Sequence, residues 1–472
     1  MNGGLGGFDA RERVLVIGLG RSGLASCAVL RARGASVYAT DEKDPAALGE
    51  ARKAIEAAGV RFVAPADLER VAGELTSAVL SPGIPLNGPL VRRVQAARVP
   101  VFSEIEVAYR ICKAPIVALT GTKGKTTTTA LIGELFRHAG RTTHVGGNIG
   151  NALIAETAIA EPDDWVVAEV SSFQLESIRS FKPRISTILN VSPDHLDRYH
   201  SMDEYAEAKF RIFANQSAGD AFVGNLDDPI VGALASPEAG SRIPCRAYWF
   251  GRTPRRLTTL YVRDERITYA PPSGDPRPVE VMPLDEIPLL GAHNVANVMA
   301  ALLVGLLAGI EPGVLRSGVR AFRPLPHRLQ TVAEVDGVRY VDDSKSTNPG
   351  SVIAALETFD APIVLIAGGR AKGTDFAAMG AVAKSRAKAV VLIGEAADEI
   401  AAVVDPARTA RAASMEEAVA IARALATAGD VVLLSPGCAS FDMFGSAEAR
   451  GDAFARAASP ETVALAAGDA NG

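Results

Sequence analysis

The chain of 472 residues is 48% hydrophobic and 22% charged, an ordinary globular balance at a length that suggests about three domains. Its net charge of −5 leaves no basic field for nucleic acid. The four scattered cysteines, Cys27, Cys112, Cys245 and Cys438, form no CxxC pair, which argues against a zinc site or a disulfide framework and fits a reducing cytosol. The opening MNGGLGGFDARER has no long apolar run, so neither a signal peptide nor a membrane anchor is expected.

In chain order, an apolar run at 14–17 reads as a buried parallel strand. A helix over 24–33, ended by Gly34, and a strand over 36–40 complete a βαβ unit. A weaker strand is predicted at 77–83. A second block opens with PIVALT at 115–120, runs into a helix rich in threonine and leucine, and continues with strands at 165–170 and 185–190. Residues 252–288, rich in proline, arginine and alternating polar residues, are predicted to be an irregular β-rich excursion. The apolar stretch 298–310 is too short to cross a bilayer and reads as a buried helix. FRPLP at 322–326 marks the next boundary, beyond which strands at 363–367, 389–393 and 431–434 alternate with alanine-rich helices. Such alternation predicts an α/β chain with mostly parallel sheets and ligands at strand C-terminal ends.

Two glycine loops carry the chemistry. The first, GLGRSG at 18–23, lies between a strand and a helix. Its glycines let backbone N–H groups, among them those of Leu19, Arg21 and Ser22, approach a diphosphate, and the helix N-terminus favours negative charge. Asp41 stands in the place of a ribose-binding acid, and the turn holding Ser81 and Gly83 lies at another strand end of the same crevice. The loop reports a diphosphate, whether of NAD or of a nucleotide sugar; a tight turn without a ligand is the plainer alternative. The second loop is TGTKGKTT at 120–127. Gly121, Thr122, Lys123 and Gly124 can curl N–H groups round phosphate oxygens, ahead of Thr127 in the helix. Lys125 can place charge on the β- and γ-phosphates, and the Thr126 hydroxyl can ligate Mg²⁺. A regular P-loop has glycine where this chain has Leu119, so this is a shortened variant.

That variant resembles the ATP loop of the Mur ligases and the folylpolyglutamate synthases. The resemblance to the Mur ligases continues in order through GGNIG at 146–150, EVSSFQLE at 169–176, NVSPDHLDRY at 190–199, EYAEAKFRIF at 204–213, GAHNVANVMAA at 291–301 and PHRLQ at 326–330. It ends with DDSKSTNP at 342–349, GGRAKGTDF at 368–376 and SPGCASFDMF at 435–444. SSFQLE and the last three motifs look like the branch of the family that adds D-glutamate to UDP-N-acetylmuramoyl-L-alanine.

The resemblance implies three domains: a Rossmann-like substrate domain at 1–110, a central P-loop-type ATPase domain at 111–323 and a Rossmann-like D-glutamate domain at 324–472. It implies a reaction in which ATP phosphorylates the substrate carboxylate and the amine attacks the acyl phosphate. By the same resemblance, Lys125, Glu169, His195 and Lys209 are the catalytic set. Thr126, Glu169, His195 and Lys209, the last carbamylated by CO₂, are expected to hold two Mg²⁺ ions. Without the motif, Glu169 reads as a surface carboxylate, His195 as a structural histidine, and Lys209 as a solvated partner of Glu204 and Glu207. The family pattern turns Asn294 and Asn297 towards the adenine, the blander option being an N-cap with a core amide, and sets Arg328 and Asp343 near the nucleotide. It gives Asn148 and Ser171 to the muramoyl-alanine part. It gives His327, Lys345, Thr347, Lys372, Ser440 and Phe441 to D-glutamate. The expected enzyme is a cytoplasmic monomer acting on small molecules, with no nucleic-acid or membrane partner.

One residue departs from the family pattern: Ala447 stands where the D-glutamate-adding ligases carry an aromatic side chain. Two rival readings fit less of the chain. A folylpolyglutamate synthase lacks the first glycine loop, and an NAD-dependent oxidoreductase leaves the second loop and DSKSTN without a role.

Overall fold

The run RVLVI is buried beyond its first residue because it lies mid-sheet, between the parallel strands Ser36–Thr40 and Ser77–Leu80. The computed structural model describes residues 8–43, 45–195, 198–271, 277–371 and 373–459. In it, Arg61–Phe62 and Val101–Ser103 extend the two flanks of this parallel five-stranded sheet, whose strands, numbered by chain order, lie 3-2-1-4-5. The order reverses between Arg13–Ile17 and Ser77–Leu80, so a crevice opens at their C-terminal ends. The helix Arg21–Ala32 starts three residues earlier than predicted. Its first turn is Arg21, Ser22 and Gly23, which give periodicity nothing apolar to detect.

A nine-stranded sheet follows among the described residues. Its parallel centre aligns Ile185–Ile188, Ile116–Thr120 and Trp165–Glu169, with Thr143–Gly147 at one edge and Ala221–Asn225 and Arg246–Gly251 on the other side. The excursion predicted to be irregular is regular. Thr258–Arg263, Arg266–Tyr269 and Val279–Pro283 form an antiparallel meander that continues this sheet, with residues 272–276 outside the described set. Leu260, Ile267 and Met282 are fully buried, while much of the proline and arginine falls between the strands.

The third sheet has six strands among the described residues. The antiparallel pair Gln330–Val335 and Val338–Asp342 lies beside Val431–Leu434, and Ile363–Gly368, Ala387–Ile393 and Thr409–Arg411 follow in parallel. Contacts divide the chain into two compact units. Residues 1–287 with 296–322 hold the first two sheets, and residues 288–295 with 323–472 hold the third. Among the described residues no helix is long and apolar enough to cross a membrane. The helix Ala292–Leu307 is buried from Val298 to Val304, as its apolar run predicts.

Candidate active site

The strand Ile116–Thr120 ends in the second glycine loop, and Gly124, left-handed at φ +79°, starts the helix Lys125–His138 with no side-chain cap. Only glycine adopts that angle without cost, and a Cβ there would meet Asn297 Oδ1 at 2.3 Å. The loop is braced from outside. Asn190 Oδ1 accepts the N–H groups of Thr122 (3.1 Å) and Lys123 (2.8 Å), and its amide donates to the Lys123 carbonyl at 3.0 Å. Thr122 Oγ1 accepts from Ser192 N–H at 3.0 Å. Lys125 Nζ donates to the carbonyls of Gly121 and Thr122, both at 2.9 Å. Thr126 is half-buried and Thr127 buried in the first helical turn.

Glu169 ends the neighbouring strand, in register with Leu119, and is 1% exposed. One carboxylate oxygen accepts from Asn148 Nδ2 at 2.9 Å; the other, Oε2, is buried with no hydrogen-bond partner among the described residues. An orphaned carboxylate oxygen at a strand end suits a hard cation, so Glu169 fits the expected Mg²⁺. Among the described residues no three His, Cys, Asp or Glu side chains form a metal cluster; the expected set draws instead on Thr126 and a modified Lys209.

Lys209, in the helix Met202–Phe210, is 2% exposed. Its Nζ donates to the Gly121 carbonyl at 3.0 Å, sharing that acceptor with Lys125, and lies 4.3 Å from the centre of the Tyr205 ring. Burial first, and the Lys125 charge second, push its ammonium down to about 7. The solvated ion pair is not what forms: Glu207 pairs with Arg242, and Glu204 accepts the His200 N–H. His195 is held in the left-handed region at φ +55°, with its ring 4.8 Å from that of Phe173 and half-exposed. A non-glycine residue there costs about 1 kcal/mol or more, so surrounding contacts must impose the geometry.

In the first sheet's crevice the three glycines of GLGRSG differ. Gly18 is left-handed at φ +90°; a Cβ on Gly23 would meet the Gly18 carbonyl oxygen at 1.8 Å; a Cβ on Gly20 would meet nothing within 4 Å. Leu19 N–H donates to Asp41 Oδ2 (2.7 Å), Lys43 N–H to Asp41 Oδ1 (3.0 Å), and Ser81 Oγ to the Gly18 carbonyl (2.7 Å). Asp41 and Ser81 therefore brace the loop. Arg21 and Gly20 are exposed, Ser22 is buried, and Gly83 has open space around it. Ser171 caps the helix Ser172–Leu175 through a capping box with Gln174.

The remaining expected residues belong to the second unit. Asn294 Nδ2 donates to the Leu290 carbonyl at 2.6 Å. Asp343 is buried, which pushes its carboxyl up to about 7, and it accepts from Ser346 and Ser435, with Arg328 exerting an opposing charge. His327 Nδ1 lies 2.7 Å from Asp342 Oδ2, and Lys345 pairs with Glu448. Ser440 is buried, Thr347 exposed, and Phe441 62% exposed. Lys372 lies outside the described residues. Gly437 N–H donates to the Ser346 carbonyl (2.9 Å), tying the loop of Asp343–Thr347 to that of Ser435–Ser440.

Three family models cover the chain: the Mur ligase MurD-like N-terminal domain at residues 12–103, the Mur ligase middle domain at 119–305, and the Mur ligase glutamate ligase domain at 327–438. The chain belongs to the Mur ligase family. A relative from Pelotomaculum thermopropionicum named UDP-N-acetylmuramoylalanine--D-glutamate ligase is 46% identical, over 94% of this chain and 96% of its own. One of the same name from Koribacter versatilis is 41% identical, over 95% and 97%. The solved UDP-N-acetylmuramate-alanine ligase of Thermotoga maritima shares the fold at TM-score 0.58 and 19% identity, covering 94% of this chain and 98% of that one.

Motifs alone do not reveal the residues that support this Mur ligase site. Asn190 opens the NVSPDHLDRY motif at a strand end with no role assigned to it from the sequence, yet it holds two N–H groups and a carbonyl of the phosphate loop. Arg450 falls in no motif. It is buried and donates to Ser344 Oγ, the Ser344 carbonyl and the Cys438 carbonyl, pinning two loops of the third sheet. An arginine inside a helical pattern carries no sequence signal for that role; an asparagine directly after an apolar strand does carry a weak one.

Proposed function

We propose that this Mur ligase joins D-glutamate to UDP-N-acetylmuramoyl-L-alanine, converting ATP to ADP and phosphate, as a step in the synthesis of peptidoglycan precursors. One observation carries the reading. An open glycine crevice and a braced phosphate loop beside a buried, orphaned carboxylate occur together in a chain whose relatives of that name match it nearly end to end. Residues 1–110 serve the UDP-substrate, 111–323 ATP, and 324–472 D-glutamate. Four free cysteines support a cytoplasmic enzyme.

The substrate's alanyl carboxylate attacks the γ-phosphorus of ATP and ADP leaves; the amine of D-glutamate then attacks the acyl carbon and phosphate departs. Positioning and charge neutralisation do most of the work in the first transfer. The loop N–H groups from Gly121 to Thr127 hold phosphate oxygens while Lys125 neutralises them. Asn294 and Asn297 take the adenine edge, with Arg328 and Asp343 nearby. Leu19, Arg21, Ser22, Asp41, Ser81 and Gly83 form or brace the diphosphate cradle, and Asn148 and Ser171 take the muramoyl-alanine end. His327, Lys345, Thr347, Lys372, Ser440 and Phe441 receive D-glutamate. Thr126, Glu169, His195 and a carbamylated Lys209 would hold two Mg²⁺ ions, which supply charge stabilisation on the phosphoryl oxygens. The carbamate is supported by charge: a buried ammonium beside the Lys125 ammonium is unfavourable, which favours the deprotonated amine; that amine attacks CO₂ and releases a second proton to give an anion suited to magnesium. Phosphate release is expected only with UDP-N-acetylmuramoyl-L-alanine and D-glutamate together. Equal turnover with L-glutamate, or turnover on a folate in their place, overturns the assignment.

Ala447 bears on the D-glutamate pocket. It is half-buried at the start of the helix Ala447–Ala458, and its carbonyl accepts from Ser344 Oγ at 2.7 Å. Met443 and Phe444 pack against the core and Phe441 is exposed; the alternative to a missing wall is that Phe441 or Met443 fills the gap. Burying a phenyl ring contributes roughly 1.5–3 kcal/mol. Ala447→Phe is therefore expected to lower the Michaelis constant for D-glutamate several-fold and leave that for ATP unchanged. A constant or raised value in a folded variant shows that the pocket is walled by other residues.

A further inference from the structure

Glu176 has no part in the chemistry above, yet it is the fixed point of a network that ends at His195. It follows the helix Ser172–Leu175, seven residues beyond Glu169 on the same segment. Its carboxylate takes two side chains of the HLDRY motif: Arg198 Nη2 donates to Oε2 at 2.5 Å and Tyr199 OH to Oε1 at 2.6 Å. Both residues lead back to the histidine, because the N–H groups of Arg198 and Tyr199 each donate to the His195 carbonyl at 3.0 Å. Phe173, on the same helix, closes the arrangement: its ring lies 4.8 Å from that of His195, 6.0 Å and stacked against Tyr199, and 4.0 Å from the Arg198 guanidinium. The left-handed backbone of His195 needs such outside support.

We propose that Glu176 is a positioning residue for metal binding, holding Arg198 and Tyr199 so that His195 keeps the orientation in which it serves as a ligand. One eight-residue segment then governs both sides of the metal site, Glu169 as a ligand and Glu176 through His195. The proposal rests on the reading of His195 as a Mg²⁺ ligand. Residues that orient ligands in this way are worth about 10- to 100-fold in metal affinity.

The test is Mn²⁺ binding by electron paramagnetic resonance in the presence of a non-hydrolysable ATP analogue, together with the apparent activation constant for Mg²⁺. Glu176→Ala is expected to weaken both about tenfold, leaving the Michaelis constant for D-glutamate unchanged. Glu176→Gln, which retains an acceptor without the charge, is expected to fall between. His195→Ala should weaken metal binding by itself, and adding Glu176→Ala to it should cost nothing more, since both act through one ligand. If His195→Ala leaves metal binding unaltered, the ligand assignment fails and takes the proposal with it. If His195→Ala weakens it and Glu176→Ala does not, or if the two losses add, the positioning role alone is overturned. Should Glu176→Ala fail to fold, Tyr199→Phe and Arg198→Met each remove one bond to the carboxylate, and either must weaken Mn²⁺ binding for the proposal to stand.

Discussion

Lys125→Ala is expected to abolish phosphate release while the protein stays folded. The ammonium is the positive charge that the phosphate loop carries at the start of its helix, and it donates to the carbonyls of Gly121 and Thr122. Phosphoryl transfer depends on neutralising charge that spreads over the transferring oxygens, and removing one preorganised donor from such a site costs roughly 10²–10³ in turnover. The fold does not depend on it to the same degree. Alanine is the best helix former, the position is only half-buried, and Asn190 continues to brace Thr122 and Lys123. Turnover and thermal unfolding measured on one preparation separate the two effects. Activity near the parent's in a folded variant removes Lys125 from the mechanism.

The second large effect is expected at Lys209. Lys209→Ala should lose turnover by about 100-fold or more, as loss of a group that holds or orients a metal does. Small carboxylic acids such as acetate or propionate should restore part of the activity, because truncation leaves space and an added carboxylate supplies the oxygens of the missing carbamate. An uncharged amide of the same size should not. Burial and the neighbouring Lys125 charge hold the Lys209 ammonium far below its ordinary value, which favours the neutral amine that attacks CO₂. In the parent enzyme, ¹³C-labelled CO₂ should give a carbamate resonance that Lys209→Ala lacks. A bare amine in an active, magnesium-loaded enzyme overturns the modification.

Legibility in the sequence tracks the range over which each interaction acts. The strand Ile116–Thr120 and the loop after it are visible because five strand residues, then glycines, lysines and threonines, are consecutive. Arg61–Phe62 and Val101–Ser103 are invisible, since two or three residues show no periodicity and become strands only through their neighbours. The pair Gln330–Val335 and Val338–Asp342 escapes prediction because its outer strand mixes polar and apolar side chains at an edge. At the site, residue types are legible and their engagements are not. Asp41 reads as a ribose acid, and the sequence does not show that its carboxylate also receives the Leu19 and Lys43 N–H groups. Lys209 reads as solvated from its acidic neighbours on the helix, yet its side chain turns inward, beneath the loop at Gly121. Both outcomes depend on contacts between segments 22 and 88 residues apart.

The GLGRSG loop is one motif to the eye and three separate constraints to the molecule. Gly23 is a packing requirement: any side chain there strikes the Gly18 carbonyl and separates helix from strand. Gly18 is a conformational requirement, set by its backbone angle and by the crowding of Ile84 and Ser81. Gly20 is neither, for a Cβ there would meet nothing within 4 Å among the described residues. Its bareness is of use to a guest rather than to the host, so a methyl group placed there leaves the architecture alone and stands where a diphosphate would lie. A substitution at Gly20 is therefore expected to impair recognition and one at Gly23 to impair folding, although the two lie three residues apart in a single signature.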